Sequence, residues 1–282
     1  MAQSPDQRSL ITQNGDFSLG LVVNTFNQPH YLVRVLNAVR RQTRLPQEVL
    51  LADDGSGEDT RQVFQGWAAQ QSFRCEHVWQ PREGFRRAGI LNRAIAKATS
   101  NYLVFLDGDT IPHPWFIEDH GRIRASAVLV QGHRALIEQK AAAYFGLGEF
   151  HRDRRRTLLT GQLRGLKHAF RWPWAWRRYR NTLRGTRGCN LAIWRSDLVK
   201  VNGYNEAFVG WGREDSELVS RLMNAGVRRL DVRGWALCYH LWHPPASRER
   251  LNMNDQLLEA AIAQKTTRCE LGLDRLSRDN AI

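Results

Sequence analysis

The fold can be inferred from YLVFLDGD, residues Tyr102 to Asp109. Its first five residues form an apolar run of strand length that includes the β-branched Val104, so we expect a buried strand. Two carboxylates, Asp107 and Asp109, follow at the carboxyl end with Gly108 between them. On a bending backbone this spacing lets both face one point, and such oxygen pairs suit Mg²⁺ or Mn²⁺ that is also held by a diphosphate. The segment therefore suggests a divalent-ion site and a nucleotide substrate.

A helix cap is the alternative role for the same residues. Asp109 and Thr110 are residue types that cap helices, and a helix could begin after Pro112 or Pro114. The segment alone supports the ion site and the helix cap equally, so the rest of the chain has to distinguish them.

Strands alternate with helices through the first half of the chain. Buried strands are predicted at Leu19–Val23, Glu48–Ala52, Cys75–Trp79 and Tyr102–Leu106. Helices are predicted from about 29 to 41, after Asp59, and from 88 to 98. This order implies right-handed βαβ crossovers and an α/β fold with a mostly parallel sheet. Because such sheets bind ligands at the carboxyl ends of their strands, the candidate site residues there are Asn24, Thr25, Asp53, Asp54, Asp107 and Asp109.

The second half of the chain is less regular. Residues 133–150 are predicted to be helical, and Gly188–Trp194 is predicted to be a strand. Residues 214–224 have the spacing of an amphipathic helix, and the closing strand is expected at 234–242.

The positive charge is concentrated in one block. Residues 151–187 contain twelve Arg or Lys and one acid, Asp153. This block therefore supplies +11 of the net charge of +13. The block also carries the aromatic cluster Trp172, Trp174, Trp176 and Tyr179. We expect this block to contact an anionic membrane surface or an anionic glycolipid. The second interpretation is a solvated loop. The third is binding of single-stranded nucleic acid, which we do not expect as a partner.

Composition sets the compartment expected for the chain. The 282 residues are 42% hydrophobic, enough for a large core, and no apolar window is long enough to cross a membrane. The N-terminus has no basic stretch followed by an apolar one, and the four cysteines form no CxxC pair. These features predict a cytoplasmic protein with reduced thiols, and the basic block adds the expectation of a peripheral position on the inner face of the cytoplasmic membrane.

A second group of candidate residues lies in Gly210–Glu217, GWGREDSE. Its glycines let the backbone bend around a ligand, and the indole of Trp211 offers a stacking face for a sugar. The alternative role for the acids that follow is to complement a helix dipole, and we assign that role to Glu217. Asp215 is the better candidate for a general base, because a carboxylate beside a metal-diphosphate site can deprotonate an acceptor hydroxyl.

His240 and His243 are candidate metal ligands. Residues i and i+3 of a strand point to opposite faces, but Pro244 and Pro245 end the strand and could bring both rings to one side. A lone histidine is more often a satisfied core or surface residue. Two histidines closing a sheet that already offers two aspartates make a stronger candidate.

Five segments in order resemble family 2 glycosyltransferases of the GT-A fold: VVNTFNQPHYL, LLADDGSGEDT, EGFRRAGILNRAIAKATSNYLVFLDGDTIPHPWF, RGCNLAIWRSDLVKVNGYNEAFVGWGREDSELVSRLMNAG and ALCYHLWHPP. The last third resembles the galactosyltransferase-type C-terminal module of bacterial chondroitin polymerase and the β-1,4-galactosyltransferases. The resemblance covers residues 18–134 and 187–246. It implies a Rossmann-like sheet with helices on both faces and a packed acceptor-side subdomain.

The resemblance also implies residue roles. The implied donor-binding residues are Thr25, Asp53, Asp54, Arg86, Arg87, Asp107 and Asp109, the last two forming the DxD motif. The implied metal ligands are Asp107, Asp109, His243 and, as a second histidine, His240. Asp215 matches the catalytic base. Its neighbour Glu214 is assigned both to the catalytic pair and to acceptor binding, and Trp211 to acceptor binding. Two features depart from the family pattern: Arg213 replaces the second glycine of the WGGED motif, and the basic block has no counterpart.

The implied activity is inverting transfer of a sugar, with Mn²⁺ or Mg²⁺, from a nucleotide sugar, most simply a UDP-sugar, to a saccharide hydroxyl. The implied setting is synthesis of bacterial lipopolysaccharide, capsule or another surface glycan, and the alternative is a non-catalytic membrane or nucleic-acid adaptor. We divide the chain into an arm (1–17), a nucleotide-sugar-binding half (18–134), a helical, basic and aromatic insertion (135–187), an acceptor-binding half (188–246) and a helical tail (247–282).

Overall fold

A computed structural model describes residues 17–279. The predicted N-terminal arm lies outside the described residues except for Phe17, and so do the last three residues of the predicted tail. The strands are β1 (Leu19–Thr25), β2 (Glu48–Asp53), β3 (Arg74–Trp79), β4 (Tyr102–Asp107), β5 (Thr110–Pro112), β6 (Val128–Gln131), β7 (Arg134–Ile137), β8 (Leu163–Arg164), β9 (Trp176–Arg180), β10 (Leu191–Trp194), β11 (Arg228–Arg233) and β12 (Cys238–Leu241).

The helices cover both faces of the sheet. They are α1 (Pro29–Arg40), α2 (Glu58–Ala68), α3 (Arg87–Lys97), α4 (Phe116–Ile123), α5 (Gln139–Ala142), α6 (Phe150–Leu159), α7 (Arg195–Lys200), α8 (Glu214–Asn224), α9 (Leu251–Ala263) and α10 (Leu273–Asp279). Short 3₁₀ turns occupy Leu166–His168 and Gly188–Asn190. Among the described residues no helix is both long and apolar enough to span a membrane.

The main sheet has eight strands in the order β3-β2-β1-β4-β10-β6-β11-β9. The first four are parallel, β10 is antiparallel to both neighbours, β11 is parallel to β6, and β9 is antiparallel to β11. A smaller sheet has the order β5-β12-β7-β8. The expected α/β class with a mostly parallel sheet is therefore confirmed, and β10 is the strand that reverses direction beside β4.

The core lies on both faces of the main sheet, which explains the near-continuous apolar runs of its central strands. On one face α1 buries Leu32, Val35, Leu36 and Val39, as its spacing predicts. On the other face α3 buries Ile90, Leu91, Ala94 and Ile95. Burial of each Val, Leu or Ile side chain among these stabilises the fold by about 1.5–3 kcal/mol, so the two layers hold the strands in place.

Three predictions for the second half of the chain are wrong in part. Residues 133–150 are not continuous helix, because Arg134–Ile137 pairs as β7 with β12. The predicted strand 188–194 begins only at Leu191, since Gly188–Asn190 forms a 3₁₀ turn. The predicted closing strand 234–242 is limited to Cys238–Leu241.

The basic block is folded into both sheets. It contributes α6, β8 and the edge strand β9, which pairs with β11 from Trp176↔Arg233 to Arg180↔Arg229. Ion pairs attach it further: Arg171 binds the buried Asp119, and Arg180 lies 3.5 Å from Asp231. The block is therefore an ordered surface in this structure, which removes the solvated-loop alternative.

Candidate active site

The turn after β4 packs against the end of β1. Gly108 donates its N–H to the carbonyl oxygen of Asn24 at 2.7 Å, and a Cβ at this position would lie 2.9 Å from Thr25 Oγ1. Glycine is thus required by close approach of two chain segments. Asp109 leads into β5, and the next helix begins only at Phe116 without a side-chain cap. The helix-cap alternative for Asp109 is therefore wrong.

The second sheet brings both histidines to Asp109. β12 pairs with β5 so that His240 lies opposite Thr110, and His243 follows just beyond the strand. His243 Nε2 lies 3.1 Å from Asp109 Oδ2, and His240 Nε2 lies 3.6 Å from Asp109 Oδ1. Burial alone raises the pKa of Asp109, but hydrogen bonding from His243 and the charges of both imidazoles outweigh it and lower the pKa. The two rings face one carboxylate, as the proline-terminated strand suggested.

The donor set fits a divalent transition metal. One ligand atom from each of Asp109, His240 and His243 can be chosen so that all three lie within 4.8 Å of one another. A carboxylate with two imidazoles suits Mn²⁺ better than Mg²⁺, which prefers oxygen ligands alone. Asp107 is not a member of this ligand group. Its Oδ1 instead accepts a hydrogen bond from Arg87 Nη2 at 3.2 Å. Burial raises the pKa of Asp107, opposed by Arg87 and reinforced by Asp109.

Arg87 gathers three carboxylates around one guanidinium. Its Nη1 donates to Glu214 Oε1 at 3.1 Å and to Asp215 Oδ1 at 2.8 Å, while Nη2 reaches Asp107. Burial by itself lowers the pKa of Arg87, but the three carboxylates reverse this and raise it well above the usual value, so the side chain stays charged. This single cation links the turn after β4 with the start of α8.

Asp215 receives a second hydrogen bond from the main chain. Gly188 donates its N–H to Asp215 Oδ2 at 2.8 Å, and a Cβ at Gly188 would collide with Asp215 and Arg87. The neighbouring Glu214 is only 6% exposed, and its Oε2 has no hydrogen-bond partner among the described residues. Burial and the charge of Asp215 raise the pKa of Glu214 to about 7. The two adjacent acids thus occupy different electrostatic environments.

The part of the site that is predicted to bind the nucleoside of the donor, called the nucleoside end below, lies at the carboxyl ends of β1 and β2. Asp53 is fully buried, accepting from the Ser56 N–H and contacting His77 Nε2, both at 2.8 Å. Asp54 accepts from Gln80, Arg82 and the Arg86 N–H. Thr25 is 4% exposed beneath the Gly108 turn. Both aspartates therefore shape this strand end, and direct contact of Thr25, Asp53, Asp54 or Arg86 with a nucleoside stays a prediction.

Two family models match the chain. One, described as glycosyl transferase family 2, matches residues 21–183, more than half of the sequence. The chain belongs to glycosyltransferase family 2. A second, described as the N-terminal domain of galactosyltransferase, matches residues 175–244. The resemblance inferred from the sequence motifs is therefore confirmed.

Two curated relatives of this family 2 glycosyltransferase are longer proteins. Validoxylamine A glucosyltransferase of Streptomyces hygroscopicus subsp. limoneus is 29% identical over 232 residues, which are 74% of this chain and 48% of that protein. Chondroitin synthase of Escherichia coli is 25% identical over 268 residues, 86% of this chain and 38% of that protein. The chain spans less than half the length of either relative.

Solved structures share the fold. S. aureus TarS superposes with a TM-score of 0.63 at 14% identity, covering 92% of this chain and 41% of that chain. GalNAc-T7 with UDP, GalNAc and Mn²⁺ superposes with a TM-score of 0.58 at 15% identity, covering 82% of this chain and 45% of that chain. Mannosyltransferase PcManGT from Pyrobaculum calidifontis, in complex with GDP-Man and Mn²⁺, gives 0.53 at 17% identity, covering 90% and 64%. At these identities the likeness shows the GT-A fold alone.

The departure at Arg213 has a physical consequence in this family 2 glycosyltransferase. Arg213 precedes α8 with φ of +78°, in the left-handed region where glycine is favoured. An ion pair between its side chain and Asp255 of α9 compensates part of the strain. Trp211, two residues earlier, is 41% exposed, with the guanidinium of Arg248 5.3 Å from its ring centre. The indole therefore lies at the surface, where a sugar ring can reach it.

Sequence reasoning missed two members of the site. Gly188 acts through its N–H, and the only signal was a glycine before a predicted strand in RGCN. Arg134 donates to Cys189 Sγ at 3.5 Å. Burial alone lowers the pKa of Arg134, but the charges of Cys189 and of Asp107 outweigh it and raise the pKa. Nothing in the local pattern around Arg134 indicated this position, because β7 was expected to be helix.

Proposed function

We propose that this chain is an inverting, metal-dependent glycosyltransferase that moves a sugar from a nucleotide sugar, most simply a UDP-sugar, to a saccharide hydroxyl. The observation that carries the proposal is one sheet edge on which Arg87 links Asp107 to Asp215, while Asp109 meets His240 and His243. A metal-ligand set and a candidate base are thereby held on adjacent chain segments. Two structural neighbours, GalNAc-T7 and PcManGT, were solved with Mn²⁺, which supports the choice of that ion.

The ligand set at Asp109 would hold the ion. When bound, a divalent cation offsets negative charge that develops on a departing diphosphate. Asp109 contributes a carboxylate, and His240 and His243 contribute imidazole nitrogens from the other side. Asp107 is held by Arg87 at the end of β4, beside this cluster. Because of this position beside the ligand set, we include Asp107 among the residues that bind the nucleotide-sugar donor.

Asp215 would act as the base. Oδ1 accepts from Arg87 and Oδ2 accepts from Gly188, so the carboxylate is fixed at both oxygens. A carboxylate oxygen has a second lone pair, which leaves capacity to accept the proton of an acceptor hydroxyl. That oxygen would attack the anomeric carbon from the face opposite the nucleotide, which inverts configuration. Glu214, whose pKa is about 7, would hydrogen-bond the acceptor beside Trp211.

Nucleotide-sugar hydrolysis with Mn²⁺ tests the proposal. We expect Asp109→Asn to weaken Mn²⁺ binding by at least about 100-fold, since it removes the carboxylate that both histidines face. Donor hydrolysis should fall in parallel, and Mn²⁺ affinity can be read from the shift in melting temperature. Glu259→Gln, an exposed change on α9, is the matched control. Wild type that hydrolyses no nucleotide sugar at all would instead favour the non-catalytic adaptor.

We further propose that the basic block rests on an anionic membrane, where a lipid-linked or lipopolysaccharide saccharide would be reached from the inner, cytoplasmic face. Trp172 and Trp174 are 56% and 70% exposed beside arginines, a composition that suits a lipid interface. Because the block supplies α6 and β9, a point variant is preferable to its deletion. Trp174→Ala should reduce flotation with anionic liposomes, whereas Trp79→Ala, exposed at the opposite sheet edge, should not. Equal flotation of all three proteins would contradict membrane contact.

A further inference from the structure

Cations gather where β6 and β11 end, beyond the candidate base. Gln131 pairs with Asp231 at the end of this ladder, and His133 and Arg233 each follow two residues later in sequence. The charges of Arg233, Arg187, Arg229 and Lys167 all act on His133, and Arg134 follows it in sequence. Of these cations, Arg229 is paired with Asp231. Among the side chains described, those of residues 17–276, no carboxylate forms an ion pair with Arg134, Lys167, Arg187 or Arg233, although the charge of Asp107 acts on Arg134.

Two histidines lie stacked within this group. The rings of His133 and His168 are 4.4 Å apart and inclined by 16°. Burial, with the surrounding positive charges, lowers the pKa of His133 to about 4 and that of His168 to about 3. Both rings are therefore neutral near pH 7, and each has one N–H to donate.

Four nitrogens of this group are buried without partners. They are His133 Nε2, His168 Nδ1, Arg134 Nε and Arg233 Nε, none of which has a hydrogen bond within the described part of the chain. Native structures leave few buried polar atoms unsatisfied, and a missing partner supplied by a bound ion or ligand is one explanation for such atoms. A group with several donors, none of which forms an ion pair with a carboxylate of the described chain, suits an anionic acceptor of hydrogen bonds.

The group lies on the side of the site away from the predicted nucleoside end. Along the sheet edge, Asp54 follows β2, Asp107 ends β4, and Asp215 is bound at Gly188 just before β10. With strands about 4.8 Å apart, Arg233 on β11 lies about 14 Å past β4, in the direction opposite to Asp54. A ligand here would meet Asp215 from the acceptor side.

Aromatic rings border the same group. The guanidinium of Arg233 lies 5.0 Å from the ring centre of Trp176, which is 45% exposed. Trp172 donates its N–H to the carbonyl oxygen of Gly234, next to Arg233. An indole face offers apolar surface to a sugar ring, and charged donors beside it can bind an anionic substituent of that sugar.

We propose that His133, Arg134, His168, Arg187 and Arg233 form a subsite that binds an anionic group, a carboxylate or a phosphate ester, on the acceptor saccharide. The description of the ligand as an acceptor rests on the proposed glycosyl transfer, whereas the anion site itself does not. The subsite would select acidic acceptors and orient them toward Asp215.

Histidine NMR tests the subsite without a donor and without turnover. Protein labelled at histidine is titrated with glucose, glucuronate and glucose 6-phosphate, and the signals of His133 and His168 are assigned with His168→Gln. We expect glucuronate or glucose 6-phosphate, but not glucose, to shift both rings, and the stronger ligand identifies the anionic group. Arg233→Gln should weaken the response about tenfold or more. Arg228→Gln, at the opposite end of β11 against Tyr179, should leave it unchanged.

The contrary outcomes are equally distinct. Equal shifts with glucose, no shift with either anionic sugar, or an unchanged response in folded Arg233→Gln would overturn the subsite. Competition by UDP with Mn²⁺ for the same shifts would also overturn it, because the cations would then serve the donor diphosphate. Donor hydrolysis is measured separately, so a protein that binds acidic sugars without hydrolysing any donor would retain the subsite and lose the proposed function.

Discussion

Asp215→Asn is expected to lower the transfer rate by roughly 10²–10⁴-fold, the usual contribution of a positioned general base. Asparagine has nearly the same shape as aspartate but cannot take the proton of an attacking hydroxyl. Its carbonyl can still accept from Gly188, while its amide would face Arg87 in place of the carboxylate oxygen. The loss should therefore appear in kcat, and binding of the nucleotide sugar with Mn²⁺ should change little.

Initial rates of transfer and donor affinity, measured on the same preparation, separate these effects. Asp274→Asn, an exposed change in the first turn of α10, is the matched control and should retain full activity. Glu214→Gln should lose less than Asp215→Asn, because in the proposed mechanism Glu214 hydrogen-bonds the acceptor and does not take its proton. An Asp215→Asn enzyme with more than a tenth of the wild-type rate would place the base elsewhere. The anomeric configuration of the product, determined by NMR, tests inversion independently.

The strands of the first half could be predicted from sequence because their physics is local. β1, β2 and β4 are buried on both faces, so each is an apolar run. β9 and β11 were not predictable in this way. β9 has the sequence WRRYR, and four of its five residues are exposed. β11 contains the buried Arg229, which is 1% exposed and donates a hydrogen bond to Asp231. A charged residue is normally taken as solvated, and only tertiary pairing shows otherwise.

The site shows the same division between local and tertiary information. Carboxylates at strand ends and two histidines beside a proline pair could be inferred by residue type and position. Which of Arg86 and Arg87 points into the site could not be inferred, because it depends on where α3 begins. Arg86 lies just before the helix and uses its N–H on Asp54, whereas Arg87 is the first helical residue and turns inward. The paired basic residues in EGFRRAG carry no signal of that difference.

Arg87→Met is expected to destabilise the protein by about 3–5 kcal/mol at neutral pH, as removal of one partner of a buried ion pair usually does. The Arg87 side chain is 8% exposed, as is that of Glu214, and that of Asp215 is 18% exposed. Methionine fills a similar volume but leaves Asp107, Glu214 and Asp215 close together without a counter-charge. Urea unfolding at pH 7 measures the loss, and Arg93→Met on the exposed side of the same helix is the control.

The pH dependence identifies the cause of that loss. In the wild type the folded pKa of Glu214, about 7, already exceeds its ordinary value of 4.5. Between these two values the folded state holds more protons than the unfolded state, so this group's contribution to stability falls as pH rises. Without Arg87 the carboxyl pKa values rise further, and the deficit of Arg87→Met should shrink as the pH is lowered toward about 5. Adding Glu214→Gln should recover part of the deficit at pH 7, because it removes one of the unpaired charges. A deficit that is independent of pH and of Glu214 would mean that Arg87 stabilises the fold through packing, and that the three carboxylates do not depend on it for their charge.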